Sequence, residues 1–92
     1  MRTLDREHIA ARRGYVPDDS VWIALNLFYK RRSAGLTQSQ LAKKAGVSFR
    51  RYQSIETAAT ANVTVKTLGA LAKALNTEVR DLFKPRKDYV RV

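Results

Sequence analysis

The sequence predicts an all-α domain of five short helices, and three observations predict it. Apolar residues recur at spacings of three and four between residues 19 and 83. Capping residues punctuate that pattern. Thr37, Ser48 and Thr64 stand where helices should begin, and Gly35 and Gly46 where they should end. The links left between helices are short. Around residues 20–83, the domain proper, lie an N-terminal extension (1–19) and a basic C-terminal tail (84–92).

In chain order, residues 3–13 can form a short additional helix. Thr3 is its N-cap, Asp5 and Glu7 lie in its first turn, Arg12 and Arg13 in its last, and Gly14 follows. Its apolar stripe (Leu4, Ile9, Ala10, Ala11) is thin. Asp18 or Asp19 caps the next helix, which runs to about Ser33. Trp22, Leu25, Phe28 and Tyr29 form one stripe on it, and Ile23 and Leu27 lie on another side. It is apolar over more than one face, so either the N-terminal segment or a second subunit should cover its back. After the Gly35 turn, Thr37 caps a helix over 38–45. Gly46 stops it, and Ser48 caps a helix over 49–56. Residues 57–63 are a loop of small residues. Thr64 caps a helix to about Leu75, with Val65, Leu68, Leu71, Ala72 and Leu75 inward. A last short helix over 77–83 ends before Pro85. The tail 88–92 is β-prone and able to pair with a symmetry mate.

Composition narrows the function. The 92 residues are 45% hydrophobic, enough for one small core whose stability self-association would raise. There is no cysteine and one histidine, His8, so thiolate or histidine metal sites, a cysteine nucleophile and a disulfide framework are not expected. No metal, cofactor or catalytic residue is assigned, and the chain is not read as an enzyme. The longest apolar run, residues 21–29, contains Asn26 and falls far short of the roughly 20 residues needed to span a bilayer. It also follows two acids, unlike a signal peptide. A cytoplasmic protein without a membrane partner is expected.

Eighteen Lys and Arg against eight Asp and Glu leave a net charge of +10. The excess is concentrated. Residues 1–19 hold as many acids as bases. Residues 20–56 hold Lys30, Arg31, Arg32, Lys43, Lys44, Arg50 and Arg51 against a single acid, Glu56. An ordinary solvated surface mixes signs, so this stretch is expected to face a polyanion such as a nucleic acid, unless it is a generic basic surface.

Two short helices joined by a three-residue turn must cross closely. That needs a small residue on the first, Ala42, and a left-handed residue in the turn, Gly46. Leu41, Ala45, Val47, Tyr52 and Ile55 then point inward. Phe49, Arg50, Arg51, Gln53 and Ser54 are left outside, polar or basic as a helix in the major groove requires. The ordered set Gly35-Leu36-Thr37-Gln38, Leu41-Ala42, Gly46-Val47-Ser48, Ile55-Glu56, Ala72-Lys73-Ala74-Leu75 and Leu82-Phe83 resembles the helix-turn-helix domain of the lambdoid phage repressor and Cro family, also called the XRE family. The resemblance covers about residues 21–83.

It implies a repressor-like fold and a sequence-specific transcriptional regulator, encoded by a bacterium or phage and associated with the nucleoid, that binds a two-fold operator in double-stranded DNA as a homodimer. It implies base contacts by Phe49, Arg50, Gln53 and Ser54, with Arg50 on a guanine and Phe49 on a thymine methyl. It implies phosphate contacts by Gln38, Lys43, Lys44, Arg51, Thr64 and Lys66. Arg31 and Glu56 match a pair that often forms a salt bridge in the family, and Ala42, Gly46, Tyr52 and Ile55 match its scaffold. The sequence departs from the pattern in three places. Tyr52 replaces the usual Ile or Val, and its hydroxyl needs a partner. Thr57-Ala58 replaces a basic residue and glycine, and the loop 57–63 lacks Lys and Arg. Both ends lie outside the pattern, which leaves an alternative role as an antitoxin that binds a toxin through its termini.

Overall fold

The computed structural model describes residues 19–59 and 63–86. The helix expected over 3–13 and the β-prone tail lie outside them. Four α-helices follow in order: α1 (Asp19–Ser33), α2 (Gln38–Ala45), α3 (Phe49–Glu56) and α4 (Val65–Ala74). The fifth helical element, Val79–Phe83, is a 3₁₀ helix rather than an α-helix. The reason is its confinement. Asp81 Oδ2 accepts from Thr77 Oγ1 (2.9 Å) and the Glu78 N–H (3.2 Å), holding the start. Lys84 is extended ahead of Pro85, closing the end. Salt-bridged to Lys84 and hydrogen-bonded to that backbone, the Asp81 carboxyl titrates well below the usual range.

The helix starts follow from side-chain chemistry. Thr37 Oγ1 accepts the Gln40 N–H (3.0 Å) while Gln40 Oε1 accepts the Thr37 N–H (2.8 Å), a reciprocal capping box. Ser48 accepts from the Arg51 N–H and Thr64 from the Thr67 N–H.

The helix ends share one backbone device. Behind α1, α2, α3 and α4 a six-to-one hydrogen bond closes the last turn: Leu36 to Arg31, Val47 to Ala42, Ala59 to Ser54 and Thr77 to Ala72, at 2.9–3.1 Å. This is the Schellman arrangement, and it needs a left-handed residue just past the helix. Gly35, Gly46, Ala58 and Asn76 fill that place with φ of 73°, 73°, 59° and 55°. Gly and Asn suit it, whereas Ala58 carries a Cβ that makes the conformation cost about 1–2 kcal/mol. Ala58→Gly should therefore raise stability by about 0.5 kcal/mol, the gain being reduced by glycine's greater chain entropy and by loss of a methyl that packs on Val21 and Leu25. The measurement is a urea midpoint that rises at constant slope.

The core explains why α1 is apolar on several sides. Ile23 and Leu27 join Leu41, Ala42, Tyr52, Ile55, Leu68, Leu71, Ala72, Ala74 and Leu82 in the main core. Val21 and Leu25 form a second cluster with half-buried Trp22, Tyr29 and Ala58. Helix α1 packs on α3 and on the 3₁₀ helix, while α2 packs on α3 and α4. Asn26, the one amide in the apolar run, is 3% exposed. Its Nδ2 donates to the carbonyls of Leu82 (2.9 Å) and Lys84 (2.8 Å), and its Oδ1 accepts from Arg86 Nη1 (3.3 Å). It thereby satisfies carbonyls the 3₁₀ helix leaves open and fastens the chain's return to α1. Among the described residues no helix is long and apolar enough to cross a membrane.

Candidate nucleic-acid interface

Helices α2 and α3 meet through small and branched residues. Ala42 is 1% exposed, and a larger side chain there would push the helices apart. Gly46 reverses the chain, and Val47 and Ala45 pack against the core from the turn. On α3, Tyr52, Ile55 and Glu56 are buried. The 3.6-residue period then turns the rest of α3 outward. Phe49 is 46% exposed, Arg50, Arg51 and Gln53 are exposed, and Ser54 is half-buried.

The buried face of α3 ends in a polar network centred on Glu56, which is fully buried. Arg31 donates to both carboxylate oxygens, from Nε at 2.8 Å and Nη2 at 3.1 Å, and from Nη1 to the Leu36 carbonyl at 2.8 Å. Gln38 Nε2 donates to Glu56 Oε2 at 2.9 Å. The Tyr52 hydroxyl donates to Glu56 Oε1, which supplies the partner its ring position requires. One carboxylate thus holds the end of α1, the start of α2 and the body of α3. Burial alone would push the Glu56 carboxyl up. The hydrogen bonds from Arg31, Tyr52 and Gln38 outweigh it and hold the carboxyl below its ordinary value. Burial pushes the Tyr52 hydroxyl well above its ordinary value, and its bond to Glu56 adds to the effect. The bond to Glu56 also raises the Arg31 guanidinium against the opposing effect of burial.

Of the residues singled out as nucleic-acid contacts, Phe49, Arg50, Arg51, Gln53 and Ser54 share α3. Lys43 and Lys44 are exposed in the last turn of α2, and Lys66 is exposed in the first turn of α4. Gln38 is half-buried with its amide engaged by Glu56. The Thr64 hydroxyl is occupied by its cap: it accepts from the Thr67 N–H and donates to Thr67 Oγ1 at 3.0 Å. Three contributors were not singled out by sequence. Gln40 completes a capping box, which its spacing from Thr37 signals. Asn26 fastens the C-terminal return, signalled only by its polarity in an apolar run. Arg32 lies over Phe28, its Cζ 5.5 Å from the ring centre, as their i,i+4 spacing on α1 signals. Among the described residues no group of acids and histidines could hold a metal ion.

The helix-turn-helix family, in its Cro and phage-repressor branch, matches residues 27–82, which is more than half of the chain. The chain belongs to that family. It is accordingly a DNA-binding transcriptional regulator and not an enzyme. Among solved structures it is similar to the restriction-modification controller protein C.AhdI from Aeromonas hydrophila. The two share 32% identity with a TM-score of 0.66, over 71% of this chain and 97% of that one. It is similar also to SinR, described as the master regulator for biofilm formation and solved in complex with DNA. That match has 29% identity and a TM-score of 0.65, over 67% of this chain and 98% of that one. A hypothetical transcription factor, NHTF from Neisseria, shares the fold with a TM-score of 0.71 at 21% identity, over 85% of this chain and 92% of that one. Among curated proteins none matches the sequence.

Proposed function

We propose that the protein is a repressor that binds a two-fold operator as a homodimer. The observation that carries this reading is the division of α3. Its only acid, Glu56, is fully buried, and its outer face presents Phe49, Arg50, Arg51 and Gln53 with no acid among them. Arg50 reads a guanine through O6 and N7, Phe49 meets a thymine methyl, and Ser54 reaches a base edge, with Gln53 at the margin. Lys43, Lys44, Arg51 and Lys66 supply phosphate contacts and salt dependence. Gln38 adds its helix-start N–H. Thr64 contributes through the start of α4, since its hydroxyl is bound within the cap.

Dimerisation follows from reach. One helix reads few base pairs, so specificity needs two half-sites about one helical turn apart, roughly 34 Å. On α1, half-buried Trp22 and Tyr29 keep apolar surface that fits such a pairing, whereas Val21 and Leu25 beside them are already buried. The similarity to C.AhdI, a controller protein almost wholly covered by this chain, supports a regulator built on this single domain.

The test is selection of bound DNA from a random pool, followed by binding measurements with Arg50→Ala. The expected site has two-fold symmetry. Loss of a bidentate base contact should weaken operator binding by about 1–3 kcal/mol per half-site and relax preference at one position of each. A variant that keeps both affinity and preference removes Arg50 from the base-reading role. A selected site without symmetry removes the dimer.

A further inference from the structure

A concavity of about 580 Å³ opens where the end of α1, the following turn, the start of α2 and the outer edge of α3 converge. Arg31, Arg32, Gly35, Gln38, Gln53 and Glu56 lie on its wall. Its charges are already partly matched. Glu56 accepts from Arg31, Gln38 and Tyr52, so the Arg31–Glu56 pair contributes little net field at the mouth. The charge left over is that of Arg32. Among the described residues no carboxylate forms a salt bridge with it, and its side chain is exposed.

Arg32 is not loosely placed. Its guanidinium lies over the buried Phe28 ring at 5.5 Å, with Arg31 over the same ring at 5.7 Å. The ring contact anchors the guanidinium on this side of α1, and a guanidinium presents the paired N–H donors that suit a phosphate. Beside it the capping box engages the N–H groups of Thr37 and Gln40, not that of Gln38, the first residue of α2. Two neutral amides, Gln38 and Gln53, complete the wall.

We propose that this concavity holds a DNA phosphate at the margin of the base-reading helix, and that Arg32 is the cation that binds it. The assignment rests on the reading of α3 as the base-reading helix. It also moves Gln53 from the base edges to the phosphate rim, because its side chain faces the same space as Gln38 and Arg32.

The experiment measures binding of the intact protein to its selected operator, and to unrelated duplex DNA, from 50 to 300 mM salt. Arg32→Ala should lower the slope of log affinity against log salt by about 1.8 and weaken binding about sixtyfold at 0.1 M salt, as loss of one phosphate contact from each subunit of the dimer requires. The loss should be the same on both DNAs, with base preference unchanged. Arg32→Lys should keep the slope. An Arg32→Ala slope equal to wild type overturns the proposal while leaving the regulator reading intact. So does a slope lost equally in Arg32→Lys. A change in base preference also overturns it, because it makes Arg32 a base reader. Wild-type protein that shows no salt-dependent duplex binding takes down both readings. Thermal unfolding of the variants, expected to match wild type at this exposed position, separates binding from folding.

Discussion

Glu56→Ala is expected to lower stability by about 3–5 kcal/mol, the cost of breaking a buried ion pair and leaving its partner unmatched. Arg31, Tyr52 and Gln38 all donate to that carboxylate, so the substitution orphans donors on three helices at once. A domain of this size holds about 5–14 kcal/mol in total. The urea midpoint should fall steeply, and the variant should be partly unfolded at moderate temperature. A fall below about 1 kcal/mol would show that the network is peripheral. The same carboxylate governs the acid limb of stability. Its folded pKa lies below the ordinary value near 4.3. Its contribution is therefore complete above about pH 4.3 and is lost as pH falls towards the folded value. Asp81, also lowered, acts in the same direction. The informative quantity is thus the difference between wild type and Glu56→Gln, which should have the flatter acid limb. Tyr52 acts at the other end. Its folded pKa is raised, so its contribution is present below about pH 10 and is lost above it.

Leu41→Ala is expected to cost about 2–5 kcal/mol, the range for removing a fully buried leucine and leaving a cavity. Leu41 is 0% exposed and belongs to the main core on α2, the helix that packs on both α3 and α4. The cavity would open where the two DNA-facing helices are held together, so operator affinity should fall at temperatures where the variant is still folded. Leu41→Met, which keeps the volume, should cost less than about 1.5 kcal/mol and retain binding. Equal losses in the two variants would mean that shape rather than filled volume is what α2 needs at this position.

Much of this was legible because it is local. Thr37, Ser48 and Thr64 cap helices through bonds to residues three positions on, and Gly35 and Gly46 act at their own φ angles. Caps and turns of that kind can be read from a short window of sequence. The division of α3 into an inner and an outer face follows from one helical period. Features that depend on distant residues were harder to read. Asn26 bonds to carbonyls 56 and 58 positions away, and its polarity says nothing about where those groups will lie. Arg31 and Arg32 both lie over the Phe28 ring, and only the arrival of Glu56, 25 positions on, engages the first of them in an ion pair. The last element was expected as an ordinary helix because its apolar spacing fits, yet five residues tied back to Thr77 and Glu78 through Asp81 and stopped before Pro85 adopt the tighter 3₁₀ form.

The two faces of α3 also differ in how freely they can vary. The side chains of Phe49, Arg50 and Gln53 form no hydrogen bond or ion pair with the described residues, whereas Tyr52, Ile55 and Glu56 are each sealed into the interior. Within eight consecutive residues, then, some letters are free and others are fixed, interleaved by the turn of the helix. A lineage carrying this domain can exchange the free letters and acquire a new DNA target with little penalty to folding. Drift at the fixed letters is punished before any target is met. Divergence of specificity should therefore outpace divergence of architecture, and related chains that read different sites should differ first at positions 49 and 50.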